Sequence, residues 1–372
     1  MRCVIAGGGT GGHLFPGMAI AEAFLEKEMG NEVLFIGTEK GIEARALTGR
    51  FPLRTIHVGP LKGKSLLGQG KALWAIPKAV REALTILKEF RPQLVIGVGG
   101  YASGPTLLAA SILGIKRVIQ EQNVVPGMTN HMLRWFSQRI FVSFEETRKY
   151  FPVEKTIVSG NPVRKEISRC PAPDKIGEKP KDHFTLLLFG GSAGAHKINE
   201  AMIEALDLLQ ELKPFLKIYH QTGRDDFDRI SKVYAEKGFQ ALVRPFFEDM
   251  AFYYRMADLV ICRSGASTVA ELAVCGKAGI LIPYPYAAHD HQVINAKKLV
   301  DAGGAKMIRN EELNGPALAR VILHLYRHPE ERIGMEKAMA SLGRPRAAQE
   351  IVDHCYALLR EETSNAKIQP SL

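Results

Sequence analysis

Asp258-Leu-Val-Ile-Cys-Arg-Ser-Gly265, followed at once by Ala266-Ser-Thr-Val-Ala-Glu271, decides the fold class of this chain. The unbroken apolar run Leu259 to Cys262 suits a short strand covered on both faces. Ser264-Gly265 stops the run, and the residues behind it open a helix, with Ser264 or Ser267 as its expected cap. A strand that turns directly into a helix is half of a βαβ unit, so the expected sheet is parallel with right-handed crossovers.

The same grammar recurs outward in both directions. Gly279 to Ile282, Lys217 to His220 and Thr185 to Phe189 read as further strands, the last passing through glycines into a helix from about Ile198. Nearer the start, Cys3 to Ala6 leads through glycines into an amphipathic helix at about 16–28. Val33 to Ile36, Leu94 to Val98 and Val118 to Gln120 continue that series. Two α/β halves of one kind follow, as 372 residues require, since one core rarely grows that large. Between them Cys170-Pro-Ala-Pro-Asp to Lys179-Pro-Lys is proline- and lysine-rich without periodicity, a linker composition, which places the boundary near 163–183. The expected domains are 1–163 and 164–344, with a last helix at about 345–361 that suits packing on either half.

Five scattered cysteines with no CxxC pair argue against a disulfide framework or a zinc site and suit a reducing compartment. The first apolar run ends at Gly7, too short for a signal-peptide core, and no run approaches the length of a membrane span. The charge is lopsided. Residues 50–139 hold thirteen Lys and Arg against three acids, which accounts for the whole net charge of +10. Such an excess implies an anionic partner: nucleic acid, acidic headgroups or a phosphorylated substrate. Aromatic residues make up only 8%, too sparse for the stacking platforms of a nucleic-acid groove, so no nucleic acid is expected.

In open parallel sheets ligands bind beyond the carboxyl ends of the strands. Glycine-rich loops stand there three times, as Gly7-Gly-Gly-Thr-Gly-Gly-His13, Gly97-Val-Gly-Gly-Tyr-Ala-Ser-Gly104 and Gly190-Gly-Ser-Ala-Gly194. Glycine lets backbone N–H groups approach an anion, and the following helix start adds partial positive charge. The first loop formally matches GxGxxG, with Glu39 near the next strand's end, so a nicotinamide oxidoreductase stays open. His13 at a helix start is expected neutral, hence able to take a proton, or else it merely ties the loop. In the second half, N–H groups of Ala266 to Thr268 would meet a phosphate and Glu271 has the reach for ribose hydroxyls. The amides of Gln292 and Asn295, behind the loop Pro283 to His291, suit sugar hydroxyls. Asp226-Phe-Asp228 imitates a metal–nucleotide DxD, but in a charged helical stretch it reads as a solvated helix face. His289-Asp-His291 lacks a third ligand at helical spacing, so no metal is expected.

Gly8-Gly-Thr-Gly-Gly-His13 with Pro16, Gly37-Thr38, Gly99-Gly-Tyr101, Glu121-Gln-Asn123, Gly160-Asn-Pro-Val-Arg164, Gly190-Gly-Ser192, Arg263-Ser-Gly265, Glu271 and Gln292 to Asn295 run nearly end to end. In that order they closely resemble the MurG family, the GlcNAc transferases that convert undecaprenyl-pyrophosphoryl-MurNAc-pentapeptide (lipid I) into lipid II. The resemblance implies a GT-B glycosyltransferase, two Rossmann-like domains facing an interdomain cleft, with the last helix crossing back to the first. It implies inverting, metal-independent transfer from UDP-GlcNAc to the C4 hydroxyl of the muramoyl sugar, without a cofactor, at the cytoplasmic face of the plasma membrane.

By the same resemblance Ser192, Ala266, Ser267, Thr268, Val269, Ala270 and Glu271 would hold diphosphate and ribose. Phe247 would frame the uracil through its backbone, Arg164 would lie beside the nucleotide and Gln292 would bind GlcNAc. Thr10, Gly11, Gly12 and Asn123 would reach the donor sugar, His13 would be the base, and Gly99, Gly100 and Tyr101 would take the acceptor pyrophosphate. Lys71, Trp74, Lys78 and Arg81 would form a basic amphipathic surface on anionic lipid, at about 1 kcal/mol per cation. Phe247 stands where the family often has an aliphatic residue, and the loop before Gln292, with His291, departs from its pattern. Another GT-B transferase acting on glycolipids remains an alternative.

Overall fold

A computed structural model describes residues 1–39, 43–59, 66–170, 183–191, 194–287 and 290–366. The chain divides into two compact units, Met1–Lys165 with Arg346–Leu372, and Glu166–Pro345.

The first unit is a parallel sheet whose strands are β1 (Arg2–Ala6), β2 (Glu32–Thr38), β3 (Leu53–Ile56), β4 (Leu94–Gly97), β5 (Lys116–Glu121), β6 (Arg139–Val142) and β7 (Thr156–Val158). Between them run α1 (Gly11–Lys27), α2 (Glu43–Leu47), α3 (Leu66–Phe90), α4 (Ser103–Ile112) and α5 (Met128–Leu133). Alternation along each strand feeds two cores. Cys3 and Ile5 face Leu14, Met18 and Phe24 of α1, while Val4 and Ala6 face Ala79, Ala83 and Leu87 of α3 and Leu107 of α4. The strand order β3-β2-β1-β4-β5-β6-β7 reverses direction between β1 and β4, and loops leaving a sheet at that point diverge to make a crevice.

The short α6 (Lys165–Ser168) spans the boundary, and the second unit holds β8 (Phe184–Phe189), β9 (Leu216–Gln221), β10 (Gln240–Arg244), β11 (Leu259–Cys262), β12 (Gly279–Leu281) and β13 (Ala305–Met307). The helices are α7 (His196–Ala205), α8 (Phe227–Lys237), α9 (Met250–Met256), α10 (Ala266–Cys275), α11 (His291–Asp301), α12 (Gly315–Arg327) and α13 (Pro329–Ser341). The order β10-β9-β8-β11-β12-β13 reverses between β8 and β11. The final helix, α14 (Ala347–Ala366), packs on α1 within the first unit. Its Ile351, Val352, Cys355 and Leu358 return at helical spacing into that core, each aliphatic contributing about 1.5–3 kcal/mol. Lys27–Asp353 (2.6 Å) and the Tyr356 hydroxyl donating to Glu28 (3.1 Å) align the pair.

One expectation shifts. The first helix begins at Gly11 rather than near Pro16, because Pro16 sits inside it, where its missing N–H forfeits one bond, to the Gly12 carbonyl. The strands β3, β7, β10 and β13 are the sheet edges, where charged residues such as Arg54, Arg244 and Lys306 break the apolar runs.

Candidate functional site

In the first unit the loops leaving β1 and β4 lock together. The Gly8 N–H donates to the Gly99 carbonyl (3.3 Å), and a Cβ on Gly100 would fall 2.4 Å from the Gly8 carbonyl oxygen. The Gly9 N–H donates to Oε1 of the fully buried Glu43 (2.7 Å). Thr10 is the residue before α1, and its Oγ1 lies 3.2 Å from Nδ1 of His13, one turn inside the helix. The His13 ring edge rests on Gly99, where a Cβ would come 2.8 Å from Cδ2 and 3.1 Å from Nε2. Gly99 therefore has no room for a side chain while that ring stays in place. Half-buried Gly11 and exposed Gly12 complete the lip, and Tyr101 stands half-exposed beside Gly100.

Beneath lies a buried polar floor. The Glu121 carboxylate accepts from the N–H of Asn123 (2.9 Å) and of Gly127 (3.1 Å), and from Nδ2 of Asn130 (2.9 Å) and of Asn123 (3.3 Å). Burial pushes its pKa up, and these four donors oppose the rise. Asn123 is thus held from both its backbone and its amide. Arg164 belongs to this unit, its guanidinium 5.0 Å from the Phe15 ring centroid on α1.

In the second unit, β11 ends in a turn that delivers the start of α10. Gly265 is the residue before the helix and no side chain caps it, which overturns the expected serine cap. Ser264 Oγ instead donates to the Gln292 carbonyl (2.8 Å). First-turn N–H groups, those of Ala266, Ser267 and Thr268, have no acceptor within their own helix. Val269 is buried and Ala270 half-buried on the next turn, and Glu271 is 6% exposed, with Oε2 accepting from the Tyr254 hydroxyl (3.1 Å). Arg263 donates to the carbonyls of Ile282 (3.2 Å) and Pro283 (3.0 Å) and to Oδ1 of Asn310 (2.9 Å), tying the exits of β11 and β12 together. Burial draws its pKa down. Gln292 Oε1 accepts from the Tyr284 N–H (2.9 Å), fixing its amide at the start of α11. Asn295 is fully buried and donates to the Ser264 carbonyl (3.4 Å), so it braces the turn rather than facing a sugar.

Phe247 is buried and stacked on Tyr253 (3.8 Å between centroids). Its N–H is taken by Gln221 (2.7 Å), so the carbonyl is what its backbone offers a base. Ser192 lies outside the described residues. Asp226 is not on a solvated helix face. It is 8% exposed and accepts from Asn199 Nδ2 (2.8 Å) and Arg229 (3.0 Å), with His196 Nδ1 3.0 Å away, while Asp228 alone is exposed. His196, Glu200 and Asp226 lie close enough to share an ion, but the Arg229 guanidinium already bridges both carboxylates. Gln221, Tyr254 and Glu43 escaped the sequence reading. A polar residue at a strand's carboxyl end was the available signal for the first.

On the first unit's surface Lys78 and Arg81 of α3 are exposed, and the side chains of Lys71 and Trp74 lie outside the described residues. Around α5, Met128, Met132, Trp135 and Phe136 are exposed, with Ile112 at the end of α4. Arg134 lies over the Trp135 ring (5.0 Å). Among the described residues no helix is long and apolar enough to cross a membrane.

Two Rossmann-like units, one with an uncapped helix start and a carboxylate at its switch point, the other with glycine loops around a histidine, have the architecture of a GT-B glycosyltransferase. The sequence model of the glycosyltransferase family 28 N-terminal domain matches residues 3–142 and that of the C-terminal domain residues 185–351. A protein of Myxococcus xanthus (strain DK1622) is 49% identical over 96% of this chain and 93% of its own length. One of Geobacter sulfurreducens is 49% identical over 97% of this chain and its entire length. Both bear the name UDP-N-acetylglucosamine–N-acetylmuramyl-(pentapeptide) pyrophosphoryl-undecaprenol N-acetylglucosamine transferase. The crystal structure of Acinetobacter baumannii MurG superposes with a TM-score of 0.77 at 32% identity, covering 97% of this chain and 99% of that one. The chain belongs to glycosyltransferase family 28 and, within it, to the MurG family. The oxidoreductase alternative falls with that assignment.

Proposed function

We propose that this chain transfers GlcNAc from UDP-GlcNAc to the muramoyl C4 hydroxyl of lipid I, releasing UDP and forming lipid II for peptidoglycan synthesis. The second unit's switch point carries this reading: an uncapped helix start for the diphosphate, with the Tyr254-held carboxylate of Glu271 one turn in for the ribose. Ala266 to Ala270 form the wall of that turn, Phe247 offers the uracil its carbonyl, and Gln292 offers the sugar its remaining amide donor.

Charge dictates the chemistry. As the glycosidic bond breaks, negative charge grows on the diphosphate, and fixed N–H dipoles at the α10 start stabilise it, with Arg164 as a further cation. The acceptor hydroxyl must lose a proton as it attacks. In the tautomer where His13 Nδ1–H donates to Thr10 Oγ1, Nε2 keeps the lone pair that a base needs. Single displacement inverts the anomeric centre. Gly11, Gly12 and Asn123 would reach the donor sugar, and Gly99, Gly100 and Tyr101 would take the acceptor pyrophosphate. No step requires a metal or a cofactor.

The acceptor's lipid keeps it in a bilayer, so the enzyme works at the cytoplasmic membrane surface as a peripheral protein. Lys78 and Arg81, with Lys71 and Trp74 and the exposed Met132 and Trp135, suit anionic lipid. UDP release from UDP-GlcNAc tests the activity. It should require lipid I and persist in EDTA; release without lipid I, or none with it, overturns the proposal.

A further inference from the structure

We propose that Gln221 is a positioning residue that sets the spacing between the uracil end and the diphosphate end of the donor site, an inference that rests on the donor site proposed above. Gln221 ends β9, in register with Phe189 at the end of β8 and Arg244 at the end of β10. The row leads on one side into Gly190-Gly191 and on the other into the segment that carries Phe247. From the middle strand one buried side chain, 3% exposed, reaches both. Its Nε2 donates to the Gly191 carbonyl (2.9 Å), and its Oε1 accepts the Phe247 N–H (2.7 Å). A primary amide carries a donor and an acceptor on one planar head, so it satisfies two backbone groups of opposite kind at once.

The clamp is reinforced from the backbone. The N–H of Thr222 donates to the Arg244 carbonyl (3.1 Å) and that of Gly223 to the Pro245 carbonyl (3.2 Å). On the other flank a Cβ on Gly194 would lie 2.1 Å from the Thr222 carbonyl oxygen. The β9 exit is therefore the post on which both neighbouring loops are hung. A uridine diphosphate has a fixed span between base and phosphates, so the Phe247 segment and the Gly190-Gly191 turn, which would meet its two ends beside the α10 start, can match it only at one separation. Removing the clamp weakens ground-state and transition-state binding alike, so it raises the donor KM and spares kcat.

Two variants of the full chain separate this role from simple structural damage. Gln221→Met keeps the length and removes both bonds, and its Kd for UDP should rise about tenfold, with kcat at saturating donor and lipid I retained. Gln221→Glu still accepts the Phe247 N–H but sets a carboxylate against the Gly191 carbonyl. Burial raises the pKa of that acid, so its UDP affinity should be poor near pH 8 and recover toward wild type near pH 6, where the protonated group donates again. Titration calorimetry with UDP at both pH values, beside wild type and Glu271→Ala, reads this out. Loss of UDP binding in Glu271→Ala with wild-type affinity in both Gln221 variants refutes the clamp and keeps the donor site. Wild-type affinity in all three variants overturns the donor site and the clamp with it. Should Gln221→Met not fold, Gln221→Asn, which keeps the amide but shortens its reach by one methylene, decides instead: wild-type UDP affinity there refutes the clamp.

Discussion

Gly100→Ala and Gly9→Ala form a pair that measures how tightly the two glycine loops of the first unit are locked. Both glycines lie in the left-handed region, at φ +81° and +85°. Alanine pays about 1–2 kcal/mol there at either position, and the entropy it removes from the unfolded chain is common to both. Space is what differs. At Gly9 a Cβ meets nothing within 4 Å, whereas at Gly100 it falls 2.4 Å from the carbonyl oxygen and 3.1 Å from the nitrogen of Gly8. Those atoms are backbone, so no rotamer change relieves the overlap and the loops must part, at about 1–3 kcal/mol more. Gly100→Ala should therefore be the less stable of the two by that difference, the conformational terms cancelling. The chain's two tryptophans, Trp74 and Trp135, both belong to the first unit, so tryptophan fluorescence in a urea titration follows that unit alone. Parting the loops also moves Gly99 from the His13 ring, so kcat should fall further in Gly100→Ala while the Kd for UDP stays unchanged. Equal destabilisation of the two variants, or a loss of UDP affinity, refutes the reasoning.

Tyr254→Phe removes the hydroxyl that orients Glu271 and should weaken UDP binding about threefold to tenfold while kcat is kept; unchanged affinity would detach that contact from the donor site. His13→Ala should depress kcat with the donor Kd preserved, and near-normal turnover removes it as the base. Buried His220, bonded to Asn199 and Tyr234, has its pKa drawn down to about 3 by burial, against about 6.5 unfolded. The unfolded chain then takes the proton first as pH falls. The stability present above about pH 6.5 is lost below it, about 2 kcal/mol by pH 5. A urea midpoint that drops over that range in wild type and less in His220→Gln supports this, and equal drops refute it. Charge reversal at Lys78 and Arg81, or Met132→Ser with Trp135→Ser, should lower cosedimentation with anionic vesicles, the former more at low salt; unaltered sedimentation places the membrane surface elsewhere.

Legibility in the sequence tracked the distance over which a feature is encoded. The run from Leu259 through Gly265 into α10 was readable because a strand buried on both faces, a breaker and a helix start are contiguous, and that one segment implied a parallel sheet. The strand at β10 was not, because at a sheet edge only one flank needs covering and the pattern dilutes. Side-chain roles failed where the partner is remote. Asp226 looked like a solvated helix residue because its neighbours are charged, yet Asn199 and His196 arrive from α7 to bury it. Ser264 looked like a cap, but the Gln292 carbonyl claims its hydroxyl. Asn295 looked like a sugar ligand, and the packing of α11 on the α10 turn buries it. In each case a polar side chain was assigned to solvent, a ligand or its own helix when it bonds a segment remote in the chain. A short donor or acceptor is satisfied by whichever group the fold brings within about 3 Å, and that is decided by the sheet order rather than by the local string. Motif positions such as His13 and Glu271 could therefore be nominated from the chain alone, whereas the residues that aim them, Thr10 excepted, needed the topology first.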